Sequence, residues 1–106
     1  MPFLIDMHMH TTRYSRCSRI DASKLIGQAV RAGLDGIVIT EHHHQWSQQE
    51  IDQLVAESGH PGFLVMAGFE YTSNKGDILM YGVPDQHVKE FTPAWPPEKA
   101  VALAQR

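Results

Sequence analysis

Gly36-Ile37-Val38-Ile39-Thr40 is the stretch on which the fold turns. It is continuous, β-branched and free of alternating polar positions, the pattern of a strand buried on both faces of a parallel sheet. Immediately upstream, Asp21 or Ser23 can cap a helix that carries Leu25, Ile26, Ala29 and Val30 inward, with Gly33 as its stop. Before that helix, Phe3–His10 is a short apolar run with period-two polarity, a strand ending in polar residues. Thr11–Arg19 between them is polar and irregular, hence a loop. Downstream, Ser47 is the N-cap of a second helix, with Glu50 as its capping-box partner and Ile51, Leu54 and Val55 as its apolar stripe. Gly59-His60-Pro61-Gly62 ends that helix. Phe63–Tyr71 reads as a third strand, and a turn at Ser73-Asn74-Lys75-Gly76 leads into a fourth, Asp77–Val83. A link containing Pro93, Pro96 and Pro97 opens a last helix from about Glu98 that still runs at Arg106. The β-α-β-α-β order predicts an α/β fold, a parallel β/α arrangement with right-handed crossovers and functional groups at the carboxyl ends of the strands.

The chain has 106 residues at 11.9 kDa, with 42% hydrophobic and 20% charged residues. This is the composition of a folding domain and the length of a single one, spanning residues 1–106. It is far short of the roughly 250 residues of a complete (β/α)-barrel enzyme. Nine basic and twelve acidic side chains leave a formal charge of −3, so no global basic field is available to hold nucleic acid. The one cysteine, Cys17, has no partner for an intramolecular disulfide. The opening Met1-Pro2-Phe3-Leu4-Ile5-Asp6 lacks a basic n-region and meets an acid too early for a signal peptide. No apolar run approaches the ~20 residues that cross a bilayer. A cytoplasmic protein without membrane contact is the expectation.

Histidine is the unusual residue. Seven occur, five of them in two groups: His8 and His10, then His42, His43 and His44. Strict strand alternation puts Asp6, His8 and His10 on one face and Ile5, Met7 and Met9 on the other. Two imidazoles at that spacing can chelate a divalent ion, with Asp6 ligating or orienting one of them. After the second strand, His42 is a further ligand and Glu41 a ligand or a base behind the ligands; His43 and His44 read equally as solvated turn residues. Glu70 interrupts the apolar third strand, where a carboxylate is unfavourable unless paired or metal-bound, and its two oxygens can bridge two cations. Asp77 is either a turn residue or another acidic liner. His60, His87 and Cys17 carry no assignment. In the loop after His10, Arg13, Arg16 and Ser15, with Arg19, Thr12 and Ser18 around them, suit a substrate phosphate held by guanidinium and hydroxyl groups.

Asp6-x-His8-x-His10, Thr40-Glu41-His42 and Gly68-Phe69-Glu70 together resemble the first three motifs of the PHP (polymerase and histidinol phosphatase) family. Tyr14-Ser15-Arg16-Cys17-Ser18 and Gly76–Gly82 resemble a bacterial and archaeal branch of PHP-type phosphoesterases, so the resemblance runs from about residue 3 to residue 83. It implies a distorted (β/α)7 TIM-like barrel, of which this chain would be the front half. It also implies two or three zinc, manganese or iron ions and metal-dependent hydrolysis of a phosphate ester, such as a nucleotide or a small phosphorylated metabolite. Carried over, His8 and His10 would bind the first metal, Glu70 would bridge the first and second, and His42 would bind the third. Asp6 and Glu41 are the candidate catalytic carboxylates. Glu41 stands where the family usually has Asp, and Arg16 sits near where some members place an Asp or His toward the third metal. The family's later histidines and terminal Asp-x-His do not occur in these 106 residues. A missing C-terminal half or a second copy of the chain would then complete the ligand set. Two other readings share the same residues: an amidohydrolase-type barrel, which also opens with His-x-His, and a non-catalytic metal-binding or interaction module.

Overall fold

The structure, a computed structural model, describes residues 3–105. The central strand is the one expected: β2 (Gly36–His42) is buried along its length until His42. It is flanked in parallel by β1 (Ile5–Met9) and β3 (Leu64–Ser73). Register with β3 runs unbroken from Gly36 opposite Leu64 to His42 opposite Glu70. Helix α1 (Ala22–Arg31) is capped by Asp21, whose carboxylate accepts from the Ser23 N–H, so Asp21 and not Ser23 is the N-cap. Helix α2 (Gln48–Ser58) begins with the full Ser47–Glu50 capping box and ends at Gly59, where φ is 78°.

Both helices lie on one face of the sheet. Ile37 and Ile39 of β2 pack there with Leu25, Ile26 and Ala29 of α1, with Ile51 and Leu54 of α2, and with Trp46; Met9, Val65 and Ala67 close the edges. A second cluster continues along β3 through Phe69 and Tyr71 to Met80, Val83, Phe91 and Ala100. The Tyr71 hydroxyl donates to the Thr92 carbonyl and accepts from the Trp95 N–H, tying the proline-rich link to the sheet.

Strand alternation sends Leu64, Met66, Gly68 and Glu70 to the other face. Along it, Leu64 and Met66 are each 45% exposed and Met7 is 51% exposed, so no helix covers this side among the described residues. The Tyr81 hydroxyl donates to the Met7 carbonyl at 2.5 Å, although β2 and β3 separate their strands. A side chain of that length closes such a gap only if the sheet curls around the uncovered face. The arrangement is that of part of a β/α barrel wall.

The structure adds to or corrects the expected pattern at three points. The fourth strand, β4 (Gly76–Tyr81), runs antiparallel to β3, so the sheet is parallel only over its first three strands. The two-residue connection at Asn74-Lys75 dictates this, because parallel strands need a crossover of about a dozen residues. Strict alternation in β1 fails as well. Asp6 is registered with Ile37 and Met9 with Ile39, so three steps of β1 match two of β2 and a bulge intervenes. A four-residue helix, α3 (Asp85–Val88), was not foreseen, and the last helix, α4, spans Pro97–Ala104. Arg106, into which that helix was expected to run, lies outside the described residues.

Gly68 permits the close approach of β4 to β3. A Cβ there would sit 2.4 Å from the Met80 carbonyl oxygen and 3.0 Å from the Tyr81 ring, and the first of these is backbone that cannot step aside. Gly68→Ala should therefore lower stability by about 1–3 kcal/mol, read as a shifted urea midpoint with unchanged slope. Gly62→Ala, where a Cβ meets nothing within 4 Å, should leave the midpoint nearly in place.

Candidate metal centre

The carboxyl ends of β1, β2 and β3 converge on one cleft. His8 and His10 arrive from the end of β1, His42 closes β2, and Glu70 lies beside His42 in the β2–β3 ladder. The bulge in β1 carries both histidines toward the Glu70 face, and the Asp6 carboxylate braces it by accepting the His8 N–H at 3.0 Å.

His8 Nε2 and His10 Nε2 each lie 2.9 Å from Glu70 Oε1, and 3.2 Å from one another. Ligands 2.0–2.1 Å from a tetrahedral cation stand about 3.3 Å apart. The three atoms thus already occupy close to one triangular face of such a coordination shell. Three protein ligands with an open fourth vertex is the arrangement that leaves room for water or substrate. The His8 side chain is half exposed, so the cleft is open to solvent on that side. Burial, reinforced by the neighbouring His42, lowers the pKa of His10 from its ordinary value against the opposing pull of Glu70. The neutral imidazole favoured in this way is the form that offers a lone pair.

His42 stacks on His10 with ring centroids 4.6 Å apart and planes 8° from parallel, its Nε2 3.9 Å from Glu70 Oε1. Ligand atoms of His10, His42 and Cys17 also fall within 4.8 Å of one another. Asp77 is exposed at the start of β4 opposite Thr72, whose hydrogen bond holds its carboxyl below the usual range, with His42 and His43 adding to the effect. His43 turns out of the cleft through a left-handed φ of 55°; its ring accepts the Thr72 N–H and meets the edge of Tyr71. His44 stacks on Tyr14. His60 follows α2 and His87 pairs with Glu90, both away from the cluster.

Glu41 is fully buried behind the histidines on the helix-covered side. Its Oε1 accepts from the Thr11 N–H at 2.8 Å and the Ser15 hydroxyl at 2.7 Å; its Oε2 accepts from the Thr11 hydroxyl and from Trp46 Nε1 at 2.9 Å. With both oxygens saturated, Glu41 is a positioning group and neither ligand nor free base. Ser15, expected on the substrate side, is buried too. Its one hydrogen goes to Glu41, so its oxygen accepts from the His42 N–H at 3.3 Å and from His10 Nδ1 at 3.4 Å. A proton held on Nδ1 leaves the His10 Nε2 lone pair directed at Glu70 and His8.

Arg13 and Arg16 are exposed on the same loop. The guanidinium of Arg13 lies over the Trp46 ring at 4.7 Å. The sequence reading attached no role to Trp46, Thr11, Tyr81 or Cys17. For Cys17 a signal was present, since it shares a five-residue loop segment with Ser15 and Arg16. Trp46 and Tyr81 act through contacts no local pattern announces. No family model matches the chain, and a search of curated proteins finds no match either. Among the described residues no helix is long and apolar enough to cross a membrane.

Glu41→Gln preserves shape but brings an NH2 against donors on one side, since the Thr11 N–H and the Trp46 indole can only donate. The variant should lose about 1–3 kcal/mol of stability by chemical denaturation, more than expected for an isosteric change.

Proposed function

We propose that this chain carries the front part of a PHP-type metal centre and that its activity is metal-dependent hydrolysis of a phosphate ester, a nucleotide or a small phosphorylated metabolite. The observation that carries the reading is the triangle of His8 Nε2, His10 Nε2 and Glu70 Oε1, spaced as ligands of one cation. Support comes from the curled, mostly parallel β/α wall and from the position of the cluster at its strand ends, the place where sites form in such folds.

His8, His10 and Glu70 would hold the first ion, with Glu70 bridging to a second and His42 serving a further position. Zinc, manganese and iron all suit nitrogen and oxygen donors of this kind. A bound divalent ion supplies Lewis acidity toward water and a phosphoryl oxygen. The remaining steps belong to the chain. Glu41, through Ser15, fixes the tautomer of His10, and Asp6 holds the backbone of His8. Arg13 and Arg16, exposed on the adjoining loop, meet the non-bridging oxygens of the substrate.

Metal analysis of the purified chain should find bound transition metal, and p-nitrophenyl phosphate should be hydrolysed in a chelator-sensitive manner. Glu70→Gln should reduce both metal retention and turnover by at least about tenfold, since even supporting residues cost that much. Arg13→Ala with Arg16→Ala should act mainly on KM. Metal without turnover would sink the hydrolase reading and leave a binding module; absence of metal would sink both.

A further inference from the structure

The loop leaving β1 delivers a thiol to the edge of this cluster. Cys17 Sγ and one ring nitrogen each of His10 and His42 lie within 4.8 Å of one another, although they come from a loop and from the ends of two different strands. The turn that carries Cys17 is fixed at both ends to the strands that carry the histidines. On one side, Ser15 is buried and bonded to Glu41 and to the His42 N–H. On the other, Ser18 donates to the His10 carbonyl at 3.0 Å, and its N–H closes the turn on the Ser15 carbonyl at 3.2 Å. Cys17 is exposed, so apolar burial does not account for its placement.

We propose that Cys17 and His42 form a second cation position next to the one held by His8, His10 and Glu70, and that its sulfur ligand makes it a zinc-type position. The proposal rests on the metal-centre reading above and adds to it the donor set and the ion class. Thiolate is a soft donor that favours zinc or cobalt(II) over manganese, and the thiol releases its proton as the ion binds. His10 belongs to both groups, and one ring nitrogen serves one ion. Filling the first position through His10 leaves Cys17 and His42 as the protein ligands of the second, with Glu70 3.9 Å from His42 Nε2 as the neighbouring oxygen donor.

Cobalt(II) titration of the whole chain, followed by absorption, reads the sulfur directly, because a thiolate–cobalt bond adds an intense near-ultraviolet charge-transfer band that nitrogen and oxygen ligands do not give. The band should grow with cobalt in the unaltered chain and be displaced by zinc but not by equimolar manganese. Cys17→Ser should abolish it while the weaker visible absorption of cobalt at the other position persists, with the far-ultraviolet circular dichroism unchanged. His42→Ala should weaken cobalt affinity at the band by at least about tenfold. Cobalt bound without the band would overturn the role of Cys17 and leave the His8–His10–Glu70 centre standing. A band undiminished in His42→Ala would overturn it as well, showing a thiol acting without the histidine. No cobalt bound at all would overturn both positions together.

Discussion

Burying a carboxylate without partners is prohibitively unfavourable, and Glu41 is fully buried. It is tolerated because three chain segments turn their donors toward it: Thr11 at the exit of β1, Ser15 in the loop and Trp46 before α2. The dependence runs both ways. The backbone N–H of Thr11 and the indole of Trp46 would be orphaned without the carboxylate, and the loop from Thr12 to Arg19 would lose its anchor. Through Ser15 the same carboxylate reaches His10 and the backbone of His42. One group thus sets the loop conformation, the orientation of a candidate ligand and the start of the second helix.

The division of labour between the two sheet faces follows from this. On the helix-covered face, Ile37 and Ile39 lead up to Glu41, so the strand stays fully buried to its end and finishes in a saturated polar box. On the opposite face, the exposed Leu64 and Met66 lead up to Glu70, which is itself buried while the His8 side chain beside it stays half exposed. Neighbouring residues Glu41 and His42 therefore point to opposite sides of one strand and do opposite things. The first stabilises by being satisfied; the second, with His8, His10 and Glu70, leaves nitrogen and oxygen atoms facing one another for an ion to join.

What the sequence disclosed was what period and adjacency control. The unbroken apolar run of β2, the capping box at Ser47 and the glycine stop at Gly59 are local, and each lies where its pattern placed it. The grouping of His8, His10, His42 and Glu70 was legible because parallel strand order brings strand ends together. The bulge between Asp6 and Met9 was not, since it reflects pairing with β2 and not any preference of β1 itself. For the same reason Asp6 became a backbone brace, and Glu41 and Ser15 became supports: a side chain's role depends on what the opposing loop offers it. The thiol of Cys17 joins His10 and His42 only after the turn from Ser15 to Ser18 is closed, and that closure depends on Glu41, a residue of another strand.

The charges of the cleft add a last constraint. Glu70 lies in it with the exposed Asp77 nearby, and the chain as a whole carries −3, so a phosphate approaching the bare cluster would meet repulsion that Arg13 and Arg16, exposed and screened on their loop, would only partly offset. A dication held between His8, His10 and Glu70 would cancel that negative charge without moving any residue, because the ligand atoms already stand at coordination spacing. On the proposed reading, anion binding at this place is conditional on the cation. The geometry that prepares the ion site, and not the arginine loop, would then decide whether a phosphoryl group can approach.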